Sequence, residues 1–425
     1  MNRRVLSVAA ALSVTALAAC SSSSKSSSSS TTAAASPTSS VAASPSTTAI
    51  SVSAPGISNG QILIGSVAGP DAPGWADGVN AAVDAFNQAG GIDGLKIKVV
   101  ANLNNNDDGN TDLTDIQQLV LQDHVYAVLL YPTVTEPAAG TFLQQHGVPY
   151  LGYGFSPVMC TNPYGFGFAG CVVPILGKQP AGSMPEDQYF TRIVPSILPT
   201  ITGAKVALVG QSVNGGQLYT NIFAQTAKAL GANVVYNQAV LPLTSGTSYQ
   251  PFASAVMATK PDLVNIIAGV PSDVAMKAQL IQDGYKGAIV DEATYSPNLL
   301  SDSATAKALE GTYAFSETPT LLDTSPFAKQ MQAAFAADHL ANSSIGEGTL
   351  TGYMSADFFI GLLKQVAPNF SKFVDTVNAG MKYTPDGGWP TSWPDGHSTF
   401  VSSCLAITKV TNGQFTLTDP YKCTL

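Results

Sequence analysis

Cysteine has the widest chemical scope of any residue type in this 425-residue chain, which contains five of them. Cys20 ends an apolar N-terminal segment and is treated separately below. The other four are Cys160, Cys171, Cys404 and Cys423, and four cysteines allow three pairings. We favour the disulfides Cys160–Cys171 and Cys404–Cys423, because each pair brackets a segment with glycine or Asn-Gly that can close locally.

A zinc site built from these four cysteines is the alternative. Neither pair has C-x-x-C spacing, and the only histidine near either pair is His397, which is too little for a ligand set. The remaining histidines are scattered without metal-ligand spacing. We therefore expect no metal site, and disulfides suit the exported state argued below.

Other chemical motifs are weak. Residues 165–170 match G-x-G-x-x-G, but they lie between two cysteines with no predicted strand before them and no helix after, so a dinucleotide site is not expected. Residues 104–115 resemble a calcium loop in part; Asn104 at position one and Asp115 at position twelve favour an ordinary polar loop. The chain has no H-E-x-x-H, G-x-S-x-G or Walker A sequence. We expect no catalytic residues and no cofactor.

Composition excludes several classes of protein. The chain has 19 Lys and Arg residues against 28 Asp and Glu, a formal charge of −9. Because phosphate binding needs clustered basic residues, nucleic acid is not expected as a partner. The 38 glycines and 27 prolines show no period, which excludes collagen. The length predicts two or three folded units.

The N-terminus predicts export. Arg3 and Arg4 precede an apolar stretch, residues 5–17, that is too short to span a bilayer comfortably. Residues 17–20, Leu-Ala-Ala-Cys, resemble the lipobox of bacterial lipoproteins, in which Cys20 is acylated. An ordinary secretory signal with a chance cysteine is the alternative. We predict a signal peptide over residues 1–19, then a Ser/Thr/Ala/Pro-rich flexible tether over residues 20–55.

From Gly56 onward, buried strands alternate with helices of 10–15 residues. In the first helix Val79, Val83 and Phe86 share one face. Such alternation predicts parallel sheets with helices on both faces, in two sets. The predicted strands are 62–67, 95–100, 125–130 and 148–151 in the first set, and 206–209, 232–236, 262–267 and 288–290 in the second. The predicted helices include 112–122, 138–146, 218–230, 249–259 and 273–283.

The ordered set of segments resembles a known family. The Trp75-led helix ending in Phe86-Asn87, the Gly90-Gly91-Ile92-Asp93-Gly94 turn, and later Gly203 to Ala207 and residues 284–287 resemble type I periplasmic binding proteins. The nearest group is the branched-chain amino acid/amide-type substrate-binding lipoproteins of ABC importers. The resemblance implies two Rossmann-like α/β lobes with parallel sheets, joined by three hinge crossings near residues 194–202, 316–319 and 394–398. The N-terminal lobe would comprise residues 56–195 plus 318–395, and the C-terminal lobe residues 200–316 plus 397–425.

The loops that follow the strands are the first candidates for a binding site, because parallel sheets bind ligands at the carboxyl ends of their strands. These loops span residues 69–75, 131–136, 153–156, 211–215, 269–272 and 292–295. The predicted ligand-binding residues are Trp75, Tyr131, Thr133, Thr135, Tyr153, Gly154, Ser156, Asn214, Val270, Glu292 and Tyr295.

The resemblance implies specific roles for two of these residues. Trp75 would lie against the ligand side chain, with ordinary packing as the alternative, and Glu292 would face a ligand ammonium group. Thr133 and Thr135 suit an acceptor group on the ligand or helix capping, and Ser156 suits ligand contact or turn chemistry. Pro132 departs from the family, because proline offers neither hydroxyl nor N–H to a ligand carboxylate.

The predicted function is a solute-binding protein, lipid-anchored at the outer face of the bacterial cell membrane. It would capture a small polar solute, an amino acid or amide by default, by lobe closure and deliver it to the permease of an ABC importer as a monomer. A sensory module signalling to a membrane receptor is the first alternative. An exported α/β enzyme is the second, and it lacks a recognisable nucleophile or metal cluster.

Overall fold

A computed structural model describes residues 54–154, 156–160, 162–171, 196–213, 216–243, 247–291, 295–384, 391–398 and 404–423. The predicted signal peptide, Cys20 and nearly all of the predicted tether lie outside these residues, as do the predicted site residues Asn214 and Glu292. None of the helices in the described ranges is long and apolar enough to cross a membrane.

The first sheet contains six strands, in the order β1-β2-β4-β5-β6 with β3 also paired to β2. All of its pairs are parallel except β1 with β2. Its strands are β1 (Ile57–Ser58), β2 (Gln61–Ala68), β3 (Lys96–Asn104), β4 (Ala127–Leu130), β5 (Tyr150–Gly152) and β6 (Gly165–Gly167). The helices between these strands are α1 (Trp75–Gln88), α2 (Gly109–Leu121) and α3 (Pro137–Gln145), with a 3-10 turn at Pro157–Met159.

The second sheet contains seven strands in the order β15-β14-β11-β10-β9-β7-β8. Its strands are β7 (Lys205–Gln211), β8 (Asn233–Leu241), β9 (Leu263–Ile267), β10 (Ala288–Asp291), β11 (Tyr313–Ser316), β14 (Cys404–Thr411) and β15 (Gln414–Cys423). The intervening helices are α4 (Gly216–Ala229), α5 (Gln250–Ala258), α6 (Val270–Gln282) and α7 (Ser303–Leu309), with a 3-10 turn at Pro297–Ser301. The predicted strands and helices of both sets are present, with ends shifted by a few residues.

The end of the second sheet differs from the expected parallel order. Strand β14 pairs antiparallel with β11, and β15 pairs antiparallel with β14. The two strands form a hairpin closed at Asn412, which has a positive φ of 53°. A short hairpin of this kind cannot add parallel strands, because a parallel connection needs a crossover.

Between β11 and β14 the chain returns to the first sheet. This stretch contains α8 (Pro326–Ala337), α9 (Glu347–Val366), α10 (Phe373–Asn378), a small pair β12 (Lys382–Tyr383) and β13 (Thr391–Ser392), and 3-10 turns at Asn342–Ser344, Phe370–Lys372 and Asp395–His397. Helix α9 is buried along most of its length and packs on α1. A Cβ on Gly352 would lie 2.3 Å from the carbonyl oxygen of Trp75, so only glycine permits this approach.

This packing fixes the start of α9 beside the loop that leads into α1. The buried face of α1 includes Val79, Val83 and Phe86, as the periodicity predicts. Each such side chain stabilises the fold by roughly 1.5–3 kcal/mol when fully buried. The two sheets, with parallel strands and flanking helices, make up an α/β fold of the predicted class. The lobe boundaries and the three crossings stay predictions.

A disulfide joins Cys160 to Cys171. It closes the segment that contains the edge strand β6 and so ties that strand to the turn before it. Cys404 is also disulfide-bonded, and its backbone pairs in register with that of Cys423. In the part of the chain that the structure describes, no cluster of His, Cys, Asp or Glu suits a metal ion.

Candidate functional site

The main candidate site is a cavity of about 40 Å³ between the carboxyl ends of the two sheets. The first sheet contributes Asp71, Tyr131, Thr133 and Tyr153 from the loops after β2, β4 and β5. The second sheet contributes residues from the ends of β7 and β9 and the start of α4, namely Gln211, Val213, Gly216, Tyr219, Ile267, Ala268 and Gly269. Five of the six candidate loops therefore meet here, and the sixth, at 292–295, lies mostly outside the described residues.

A second cavity of about 20 Å³ adjoins the first, and Tyr131 and Tyr153 line both. Its other walls come from the loop after β6, from the end of β11 and from the start of α9. They are Phe168, Glu317, Thr318, Glu347 and Thr351. Together the two cavities hold a few water molecules, so a larger solute needs the cleft to open.

Asp71 supplies a carboxylate to the first cavity and is buried, with 1% of its surface exposed. Thr133 donates a hydrogen bond from Oγ1 to its Oδ2, which ties the loop after β2 to the loop after β4. A side-chain hydrogen bond also joins Asp71 to Asp107, which requires one of the two carboxyls to hold a proton. Burial raises the pKa of Asp71 well above its usual range, and the negative charges of Asp107 and Glu347 raise it further.

Glu347 supplies a carboxylate to the second cavity, and its pKa is also raised. Thr351, one helical turn along α9, donates a hydrogen bond to its Oε1, while Oε2 has no hydrogen-bond partner. Burial raises the pKa of Glu347 to about 7, and nearby Glu317 adds to the increase. Glu317 itself accepts a hydrogen bond from the Tyr153 hydroxyl.

Gln211 and Gly269 build the opposite wall. The Gly269 N–H donates to Gln211 Oε1 at 3.0 Å, which joins the end of β7 to the start of α6. Gly269 also touches the first sheet's side, because a Cβ placed on it would lie 2.9 Å from the Asp71 Cβ. The two sides of the cleft are therefore in contact at this glycine.

Three of the predicted ligand residues line the cavities: Tyr131, Thr133 and Tyr153. Trp75 lies behind Tyr131, with their ring centroids 5.6 Å apart, and its Nε1 donates to Ser66 Oγ at 2.7 Å. Trp75 lines a separate, shallow depression of about 300 Å³, which the loop after β2 also lines. Trp75 lines neither cavity.

The other described candidates lie outside both cavities. Thr135 is buried beside Asp112, whose pKa burial raises to about 6. Ser156 precedes the Pro157–Met159 turn without a side-chain cap bond. The backbone of Gly154 presses against Gly170, and Val270 is the buried first residue of α6.

Tyr295 belongs to the core of the second sheet's side. Its ring lies 5.1 Å from that of Phe415, and its hydroxyl accepts a hydrogen bond from the Leu321 N–H at 3.1 Å. Tyr295 lines neither cavity, and its hydrogen bond joins it to the chain after β11. The ligand roles of all eleven residues stay predictions.

Sequence reasoning missed the acidic residues of the cleft. Asp71 and Gln211 lie in two of the candidate loops, so a search of those loops for polar side chains would have found them. Glu317 lies at the predicted second crossing. Nothing in the local sequence marks Glu347, because it reaches the cleft only through the packing of α9 on α1.

Comparison with known proteins identifies the family of this chain. A family model described as periplasmic binding protein matches residues 63–414, more than half of the chain. No curated protein sequence matches the chain.

Similar solved structures include a solute-binding protein from R. palustris in complex with 4-hydroxybenzoate, with TM-score 0.68, 15% identity, and coverage of 86% of this chain and 97% of that one. A fatty acid ABC transporter substrate-binding protein from Thermomonospora curvata has TM-score 0.69 and 16% identity, and covers 87% and 94%. The leucine-binding protein LivK from Thermotoga maritima has TM-score 0.65 and 14% identity, and covers 85% and 99%. At these identities the likeness shows the shared fold.

Proposed function

Because the chain belongs to the periplasmic binding protein family, we propose that it captures a small polar solute outside the cytoplasm and delivers it to the permease of an ABC importer. The observation that carries this proposal is the cleft, in which loops from the carboxyl ends of both sheets face one another. Binding would work by closure, since a solute that contacts both sides stabilises the closed arrangement over the open one.

Tyr131, Thr133 and Tyr153 are the proposed ligand contacts. They lie on the first sheet's side. Tyr131 and Tyr153 line both cavities, and Thr133 lines the larger one. An amino acid or amide is the default solute from the sequence resemblance. The related structures differ in solute, from 4-hydroxybenzoate to leucine, so the side chains of this cleft decide the class.

Thermal unfolding of the purified protein against a panel of solutes tests solute capture. A solute that binds only the folded state raises the unfolding midpoint, in proportion to RT ln(1 + [L]/Kd). The panel should contain amino acids, amides, amines, aromatic acids, fatty acids, nucleosides and sugars. Tyr153→Phe keeps the ring and removes the hydroxyl, so a weaker response places the solute at the cleft. No response to any solute would count against capture.

We also propose that Cys20 carries the lipid anchor. Labelling growing cells with a fatty-acid analogue tests this directly, with Cys20→Ala as the comparison. We expect label in the wild-type protein and none in Cys20→Ala, with the variant released from the membrane fraction. Equal labelling of both would refute the anchor.

A further inference from the structure

We propose that Asp71 and Asp107 share one proton while the cleft is closed, and that loss of this proton to water opens the cleft. The proposal rests on the closure argued for solute capture and adds regulation to it. It starts from the hydrogen bond between the two carboxyls, which forms only when one of them is protonated. Asp107 lines neither cavity, so it would act on the cleft through Asp71, as a positioning residue.

The loop after β3 holds Asp107 against the loop after β2. The Asp107 N–H donates a hydrogen bond to Asn105 Oδ1 at 3.1 Å, and Asn105 Nδ2 donates to Asp112 Oδ1 at 2.8 Å. A Cβ on Gly69 would overlap Asp107 Oδ1, so this glycine lets the carboxyl approach the loop that carries Asp71. Asp107 is therefore positioned by its own loop, on the side of Asp71 that faces away from the cleft contact.

Asp71 is in contact with both sides of the cleft. On the first sheet's side, Thr133 Oγ1 donates a hydrogen bond to Asp71 Oδ2. On the second sheet's side, Gly269 lies so close that a Cβ on it would be 2.9 Å from the Asp71 Cβ. A displacement of the Asp71 side chain therefore disturbs the contact at which the two sides meet.

The acids around this pair are not offset by a cation. None of the described residues that shift the pKa of either carboxyl is a lysine, arginine or histidine. Glu347 at the start of α9 adds a negative charge that acts on Asp71, and Glu317 acts in turn on Glu347. The other titratable side chains that line the larger cavity are Tyr131, Tyr153 and Tyr219. Loss of the shared proton therefore leaves two facing carboxylates, which repel each other strongly because they are buried.

The direction of the pH dependence follows from burial. In the closed cleft, burial raises the pKa of Asp71 well above its usual range, and the neighbouring charges raise it further. Opening moves Gly269 away and lets water reach the carboxyl, so the pKa falls towards the ordinary value of about 3.9. A group whose pKa is higher in the closed state favours closure at low pH, and this contribution is lost as the pH rises through the closed-state pKa. For one proton, the ratio of closed to open protein falls by up to about tenfold per pH unit.

Small-angle X-ray scattering of the solute-free protein tests the proposal between about pH 5 and pH 8, with the proton as the probe. The radius of gyration of the wild-type protein should increase with pH, and carbon-13 NMR of the carboxyl groups should show the pair releasing one proton over the same range. Asp107→Asn replaces the shared proton with an amide N–H that donates to Asp71. Its radius of gyration should therefore change much less with pH, whereas a merely structural role would leave the pH profile in place. Asp71→Asn removes the same proton from the other side of the pair and serves if Asp107→Asn does not fold.

The matched control is Asp112→Asn. Asp112 is buried and its pKa is raised to about 6, but it lines neither cavity. Asparagine keeps an oxygen for the Asn105 amide, so this variant should retain the wild-type pH dependence. Glu347→Gln should retain its direction, because Glu347 is not part of the pair.

Three results would overturn the proposal: a wild-type radius of gyration that is constant with pH, a pH dependence that survives in both Asp107→Asn and Asp71→Asn, or one that disappears in Glu347→Gln. Solute capture would stand in each case, because the thermal panel tests it without a change of pH. A panel in which no solute binds would count against capture, and the scattering profile would still decide whether the pair controls the cleft.

Discussion

Replacing Gly269 with alanine tests whether the cleft closes on the contact seen here. Gly269 has φ −70°, which alanine adopts without backbone strain. The new Cβ would lie 2.9 Å from the Asp71 Cβ. Because carbon atoms in contact prefer about 3.5–4.0 Å, the two sides of the cleft must separate by roughly 0.6–1.1 Å.

This separation raises the free energy of the closed arrangement and leaves that of the open one unchanged. Overpacking of this kind costs about 1–3 kcal/mol, which corresponds to a loss of solute affinity of roughly 5- to 150-fold. The unfolding midpoint of the ligand-free protein should stay unchanged, because the cleft can open. Titration calorimetry with a solute found by the thermal panel measures the affinity, and a thermal melt without solute measures the stability.

The matched control is Gly109→Ala at the first position of α2. Its Cβ would lie 3.2 Å from the Val134 carbonyl oxygen and does not approach the second sheet's side of the cleft. It should bind solute normally. Undiminished affinity in Gly269→Ala would refute closure on this contact. A clear fall in its ligand-free midpoint would show instead that the glycine matters for folding.

Three further predictions concern stability. Replacing Cys160 and Cys171 together with serine opens an 11-residue separation, which should lower the free energy of unfolding by about 3 kcal/mol in urea melts. Lys277→Met removes the cation of the buried ion pair with Asp291, so it should cost roughly 3–5 kcal/mol, measured by the same melts. The pKa of Glu347 is raised to about 7 in the folded protein. Its contribution to the free energy of unfolding is therefore complete below about pH 4 and is lost as the pH rises through 7. Glu347→Gln should be more stable than the wild-type protein by roughly 3 kcal/mol at pH 8 and should differ little from it at pH 4.

Each of these has a sharp control. With reducing agent present, the wild-type protein and the double serine variant should unfold at similar midpoints, because reduction opens the disulfide of Cys404 in both proteins. An equal midpoint before reduction would refute a stabilising disulfide. Adding Asp291→Leu to Lys277→Met should recover much of the loss, because the second charge of the buried pair is then removed as well. A constant difference between wild type and Glu347→Gln across this pH range would refute the raised pKa.

The sequence by itself determined most of the strands and helices from β2 to β10 and their order. Strand β2 is a short buried apolar run, and the Val79, Val83 and Phe86 face of α1 follows the 3.6-residue period. Both are local patterns that the sequence shows directly. Parallel pairing followed from the alternation of strands and helices, which put the candidate loops at one edge of each sheet. The lipobox is likewise a local signal, and lipid attachment at Cys20 is still to be measured.

Tertiary structure decided which side chains face the cleft. Trp75 donates a hydrogen bond to Ser66 and packs on Tyr131, while its backbone lies against Gly352 of α9. The same packing places Glu347 near Asp71, although 276 positions separate them in the chain. No local sequence pattern predicts that these two residues lie close together, because their proximity depends on how two helices and two sheets pack. The meeting of these acidic residues is therefore a property of the folded chain.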